Sequence, residues 1–538
     1  MARTQRTALI VLVVLVVVAA GSVGAVLGLQ KSDQHTGPAR TPSAGSGRAS
    51  SGSATPQPPS SPQSSSAGTP KGATTPPDPD LARFYSQQLT WSSCRSHDEC
   101  AKLEVPLDYA HPGAKTIKLA LLRVPASDAS ARLGSLVVNP GGPGAPGTDY
   151  AASGSFGRAL QQHYDIVGFD PRGTGGSAPV DCLSDSDLDK YVATDPDPET
   201  PAEVKTYSSW VTRMGEGCAT KSPDLAAHVS TVEAARDMDI LRAALGEQQL
   251  DYLGASYGTK LGSTYADLFP PRVGRFVLDG ALDPKVGTRE VNLAQAAGFE
   301  VELRAYVKHC VEQGDCFLGD SVDAGVTKIQ QILADIDDHP IPVGSRELTG
   351  GLALFGVITP LYDRSYWSYL DQSLKGALRG DGTMLLAWAD IYSDRGPSGF
   401  KDNSVEANWA INCLDDPTSA SPAQIKKEIP TFEKASPTFG ASVAWMMGGC
   451  ASEKFKAAEK PPPVGAPGAN PIVVVGTTRD PATPYAWAKS LAKELDSGVL
   501  VTRDGDGHTG YNQGNSCVND AVEGYLVDGT VPQDGLRC

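Results

Sequence analysis

Several things are missing from this 538-residue chain, and each absence removes a class of function. No two of its ten cysteines form a Cys-x-x-Cys pair, so zinc knuckles and redox dithiols are excluded. No His-Glu-x-x-His or other metal-ligating cluster occurs, which disfavours a zinc peptidase, and no cofactor is called for. Arginine and lysine nowhere form a run, and the formal net charge is -16, so a nucleic-acid partner is excluded. The Gly-rich stretch Asp170-Pro-Arg-Gly-Thr-Gly-Gly-Ser177 lacks the spacing and the lysine of a phosphate-binding loop. There is no internal repeat. From about residue 36 to 80 there is almost no large apolar side chain, only Ser, Pro, Thr, Gly and Ala. Such a segment cannot offset its ordering entropy, and it reads as a disordered stalk over 31–80.

What is present begins with an export signal. Arg3 and Arg6 precede an uncharged apolar run from Ala8 to Leu29, and Lys31 follows. A secretory apolar region spans about 7–15 residues and a membrane crossing needs about 20, so residues 1–30 fit a cleaved signal or a retained membrane anchor equally. Val23-Gly24-Ala25 is a small-residue cleavage site. Either way the remainder is expected outside the cytoplasm, where ten cysteines favour disulfides.

Continuous Val/Ile/Leu runs alternate with helical stretches, the pattern of a mainly parallel sheet covered on both faces. Strands are expected at Lys115–Val124, Ser135–Asn139, Tyr164–Phe169, Leu250–Leu253, Arg275–Leu278, Pro471–Val475 and Gly498–Thr502. Thr231–Leu245 has helical spacing and stops at Gly246. Between 284 and 463 the strand signal vanishes and helical patterns such as Leu293–Val311 and Val326–Ile336 take over. The expected organisation is an α/β core over 81–283, a helical cap insertion over 284–463, and a return to the core over 464–538.

The chemistry centres on Gly254-Ala255-Ser256-Tyr257-Gly258. Between an apolar run and a helix-compatible run, Gly-x-Ser-x-Gly reads as a nucleophile elbow, a strained strand-to-helix turn that lifts the serine hydroxyl out of the packed layer. With 57 glycines in the chain the motif alone is weak, and its partners decide. Serine needs a base, and the base needs an orienting carboxylate. Of the eight histidines only His508 sits in a Gly-flanked loop directly after a late core strand. Asp480, just beyond Pro471–Val475, is the acid, with Asp279 and Asp283 as alternatives and Asp504 and Asp506 as loop-shaping residues. Two amides must meet the oxyanion, and the candidates are those of Tyr257 and, from the Pro140–Gly144 loop, Gly142. Asp170 and Arg172 are read as structural, shaping a rim beside the site.

Taken together, Gly141-Gly142-Pro143-Gly144, Asp170-x-Arg172-Gly173-x-Gly175-x-Ser177, the serine elbow, Asp480-Pro481-x-Thr483-Pro484 and Gly507-His508 resemble the secreted tripeptidyl aminopeptidases. These are α/β-hydrolase serine exopeptidases related to the prolyl aminopeptidases, and the resemblance runs from about Trp91 to Cys538. Pro140 departs from the histidine typical of prolyl aminopeptidases, which favours the tripeptidyl branch. The resemblance implies release of short peptides from free N-termini, so peptide and protein N-termini are the expected partners. It also implies an acid to hold the substrate ammonium, with Asp415 first and Asp416 and Glu406 behind it. The implied disulfides join Cys94 with Cys100, Cys182 with Cys218, Cys310 with Cys316, Cys413 with Cys450, and Cys517 with Cys538. The rival reading is an esterase or lipase with the same triad. A non-catalytic envelope protein on this scaffold would be marked by loss of a triad member, and all three are present.

Overall fold

A computed structural model describes residues 74–95 and 98–538. The N-terminal apolar run with its cleavage site, most of the stalk, His35 and His97 lie outside the described residues. The strands in chain order are β1 (Ser92–Arg95), β2 (Asp98–Pro106), β3 (Thr116–Val124), β4 (Gly134–Asn139), β5 (Tyr164–Phe169), β6 (Leu250–Ala255) and β7 (Val273–Asp279). Then come two small hairpins, β8 (Ile341–Val343) with β9 (Arg346–Leu348) and β10 (Arg395–Gly396) with β11 (Gly399–Phe400). The last are β12 (Ile472–Arg479), β13 (Gly498–Asp506) and β14 (Leu536–Arg537).

Ten of these form one sheet in the order β1-β2-β3-β5-β4-β6-β7-β12-β13-β14. The first three strands meet their neighbours antiparallel, and every pairing from β5 to β14 is parallel. β4 and β5 are buried at every position, as a strand covered by helices on both faces must be. The parallel register aligns Ala255 with Asp279 and Asp279 with Val475, so β6 and β7 end side by side against β12, which runs four residues further to Arg479. Loops leaving the carboxyl ends of such strands converge on one edge, and this is where an open α/β sheet builds its site.

The chain between β7 and β12 adds no strand to this sheet. Its helices, led by Thr288–Glu312 and Val322–Asp338, enclose a second apolar cluster around Leu303, Ile329, Leu370 and Trp445. Two differences from the sequence reading concern this region. It holds the hairpins β8–β9 and β10–β11, each too short to leave a periodic signal. It also recruits the helix Pro201–Lys221 from before the elbow: Tyr207 donates to the Trp445 carbonyl at 2.6 Å, and its ring meets Trp445 edge-on. Among the described residues no helix is long and apolar enough to cross a membrane. All ten cysteines pair as the resemblance implied, with Cα separations of 4.0–5.7 Å.

Candidate active site

Ser256 lies between β6 and the helix Tyr257–Leu268 with φ 57° and ψ -125°, a conformation a non-glycine residue adopts only under constraint. The flanking glycines supply that constraint. A Cβ on Gly254 would stand 2.5 Å from the Gly258 carbonyl, and one on Gly258 would stand 2.8 Å from the Asn139 carbonyl. The Ser256 amide donates to the Asp279 carbonyl at 2.9 Å, which ties the elbow to the end of β7.

Asp480 follows β12 and is buried, its carboxylate ringed by donors. Oδ1 accepts from the amides of Ala482 (3.0 Å) and Thr483 (2.8 Å), and Oδ2 accepts from the Thr483 hydroxyl (2.9 Å) and the Thr509 amide (3.0 Å). His508 Nδ1 stands 2.9 and 3.0 Å from the two oxygens. With Nδ1–H held there, Nε2 is the basic nitrogen. Burial opposes charge on the imidazole, but the Asp480 carboxylate outweighs it and raises the pKa above 6.5. The imidazole packs on the Gly280 backbone, where an added Cβ would lie 3.2 Å from Cε1. Gly280 follows the residue whose carbonyl holds Ser256, so serine and imidazole flank one short piece of backbone. The ring is also braced edge-on by Tyr362 at 5.5 Å, whose carbonyl accepts from the His508 amide at 2.8 Å.

Asp279, the alternative acid, serves the histidine loop instead. Its oxygens accept from the amides of Gly510 (2.7 Å) and Tyr511 (2.8 Å), and burial raises its pKa to about 6. Asp283 takes the Lys285 amide at 3.0 Å. Asp504 and Asp506 pair with Arg479, and Asp506 also with Arg364, as loop-shaping residues do.

The Pro140–Gly144 loop crosses in front of the elbow. Gly141 approaches so closely that a Cβ would stand 2.9 Å from that of Ser256, and its amide donates to Asn139 Oδ1 at 2.9 Å. The next amide, that of Gly142 at φ 105°, has no acceptor among the described residues, nor does that of Tyr257 at the start of the elbow helix. Gly144 seats the loop against the helix Ser404–Asp415, and Asn408 of that helix donates to the Pro143 carbonyl at 3.1 Å.

The three acids read as ammonium anchors are all held by internal partners. Asp415 accepts from Lys260 Nζ at 2.7 Å and from the Thr231 amide and hydroxyl at 2.9 and 2.5 Å. Through that hydroxyl it reaches the Tyr257 phenol, 2.6 Å away, and so braces the elbow helix from beneath. Asp416 caps the helix Thr288–Glu312 through the amide and hydroxyl of Thr288, and its hydrogen bonds from Thr418 and Thr288 outweigh burial to lower its pKa. Glu406 is buried, with a pKa raised by that burial, and accepts from the amides of Cys182 and Leu183, both at 2.7 Å. Asp415 and Asp416 have both oxygens taken by the fold, which makes them poor ammonium sites, whereas both bonds to Glu406 fall on Oε1 and leave Oε2 open among the described residues.

Asp170 accepts from the amides of Thr148 and Gly176. Arg172 is fully buried and makes a two-pronged pair with Asp237, both contacts at 2.7 Å, plus bonds to the carbonyls of Pro106, Leu107 and His228. Both are structural, as the sequence suggested. Thr483 was given no role from sequence, although its place three residues beyond the acid is the available signal. Its hydroxyl donates to Asp480 and lies 3.2 Å from His508 Nδ1.

The family described as "TAP-like protein" matches residues 436–538, the segment that carries Asp480 and His508. Serine protease Hip1 of Mycobacterium tuberculosis is 37% identical over 478 residues, covering 84% of this chain and 91% of that protein. The chain belongs to the tripeptidyl-aminopeptidase-like α/β-hydrolases. Other members of the family include Tripeptidyl aminopeptidase of Streptomyces lividans, 31% identical over 475 residues (85% of this chain, 88% of that one). Carboxylesterase B of M. tuberculosis is 36% identical over 479 residues (85% and 91%). A serine hydrolase is therefore the enzyme class of the protein.

Proposed function

We propose that the protein is an exported serine exopeptidase that releases tripeptides from free N-termini. The observation that carries this reading is the pairing of His508 Nδ1 with both Asp480 oxygens, with the imidazole packed on Gly280 beside the Ser256 elbow. Ser256 Oγ attacks the scissile carbonyl while His508 Nε2 takes its proton. The amides of Tyr257 and Gly142 meet the charge that develops on the carbonyl oxygen, where each donor contributes about 3 kcal/mol. The imidazolium then protonates the leaving amine, and water on the same base releases the acyl group.

Export is supported by the basic-then-apolar N-terminus and by five disulfides, which persist in oxidising compartments. The helical insertion over 284–463, joined by Pro201–Lys221, acts as the cap that limits the cleft to chain ends. The peptidase names among the relatives favour peptide substrates, and the esterase name of a third keeps ester hydrolysis as the second reading.

Chromogenic anilides of one, two and three residues, each with a free or acetylated N-terminus, separate the two. The free tripeptide should be cleaved best, with acetylation lowering kcat/KM by at least about a hundredfold, about 2.7 kcal/mol, as expected of an enzyme that recognises a free ammonium. Equal rates on free and acetylated peptides would end the exopeptidase reading.

A further inference from the structure

Glu302 is an anomaly that the triad does not use. It lies on the inserted helix Thr288–Glu312, wholly buried, and neither carboxyl oxygen has a hydrogen-bond partner. Buried carboxyls without partners are rare in folded proteins and call for a reason. The surroundings supply one. Gln295, Gly298 and Glu302 share one helix face, and that face lies against the triad loops. Gln295 donates to the Ala482 carbonyl at 2.9 Å, and a Cβ on Gly298 would stand 2.5 Å from the Pro481 carbonyl. One turn further on, the amide of Gly507 faces Glu302 closely enough to favour its charged form, without reaching good hydrogen-bond geometry. Phe299, beside them, packs on Tyr362, the residue that holds His508 through its carbonyl. This single face therefore touches both the acid loop and the histidine turn.

We propose that Glu302 is a positioning residue for His508, a carboxyl brought by the inserted helix beneath the Gly507–His508 turn, and that its charge state sets the alkaline limit of activity. The proposal rests on His508 being the base.

The groups facing Glu302 explain why its charge matters. Asp480 from the acid loop and Asp506 from the end of β13 are both negative. Arg479, the cation that faces Glu302, is already engaged with Asp504 and Asp506, and Arg364 with Asp506. On its own helix, Glu300 is turned to Ser436 and Thr438, and Arg304 to Asp323. Burial and the two aspartates raise the Glu302 pKa to about 8, so the carboxyl is neutral while the enzyme works near pH 7. Once ionised, it is an uncompensated anion beside Asp480. The strain is relieved by holding His508 as imidazolium or by displacing the turn, and each removes the base.

The test is the rate of fluorophosphonate labelling of Ser256 from pH 6 to pH 10, in the full chain and in Glu302→Gln, which mimics the neutral acid. Labelling needs no substrate amine, so it is independent of the exopeptidase reading. The wild-type rate should fall about tenfold between pH 7 and pH 9, as one unit above the pKa leaves about a tenth of the acid protonated. Glu302→Gln should label within twofold of wild type at pH 7 and stay level to pH 9. An equal alkaline fall in both proteins overturns the proposal. So does a flat wild-type profile, which decides the matter even if the variant fails to fold. An effect confined to KM for free-amine peptides, with labelling unchanged, would make Glu302 a substrate anchor instead and would also overturn it.

Discussion

Replacing Asp480 by asparagine probes the way the fold fixes the imidazole. The carboxylate takes four donors besides His508: the amides of Ala482 and Thr483 on Oδ1, and the Thr483 hydroxyl and Thr509 amide on Oδ2. An asparagine has one oxygen for these. The two amides at Oδ1 draw it there, which leaves the NH2 at the Oδ2 position, facing the Thr509 amide and His508 Nδ1. An NH2 donating to Nδ1 forces the proton onto Nε2, the nitrogen that must be free to deprotonate Ser256. Loss of the correct tautomer and of imidazolium stabilisation should lower kcat by about 10³–10⁴, or roughly 4–5.5 kcal/mol. KM should change little, because the groups that bind substrate are untouched. Single-turnover release of nitroanilide from a free tripeptide measures this, with near-UV circular dichroism to verify folding. A folded variant within tenfold of wild type would refute the argument and move the acid role to Asp279.

Because neutral His508 is the active form and its pKa is raised by Asp480, kcat/KM should fall on acidification with a midpoint above pH 6.5, whereas a midpoint at or below 6.5 would contradict the pairing. Arg172→Met should cost about 3–5 kcal/mol of stability in denaturant titration, since it leaves Asp237 charged and buried without its partner, and a loss under 1 kcal/mol would contradict this. Replacing Cys413 and Cys450 by serine opens a 37-residue loop, and the chain-entropy relation puts the loss near 3–4 kcal/mol. This pair holds the helix that seats Gly144, so the same variant should lose activity before it loses global structure, and unchanged activity at half-unfolding denaturant would count against it.

The elbow was readable because backbone geometry left no alternative: only glycine fits at 254 and 258. The buried parallel strands were equally plain, since burial on both faces writes an unbroken apolar run such as Leu136–Val138. β1 was not readable, because Ser92–Arg95 is exposed at every position and shows no alternation. The helix Pro201–Lys221 was missed for a similar reason, as few of its 21 residues are buried. Charged residues were the hardest to place. Asp415 looks like a free acid in sequence and is paired with Lys260 in space, while Glu302, which no motif singles out on a helix with many charged positions, is wholly buried. Sequence spacing carries the period of a helix but not the identity of the group that will face a given carboxylate.

Every step of the proposed reaction requires His508 to make Ser256 reactive. Mass analysis of the protein after fluorophosphonate treatment at pH 7.5 tests this most directly. The expected result is one adduct, on Ser256, abolished in Ser256→Ala and slowed at least a thousandfold in His508→Ala. An adduct on another residue, or undiminished labelling of Ser256 in folded His508→Ala, would contradict it.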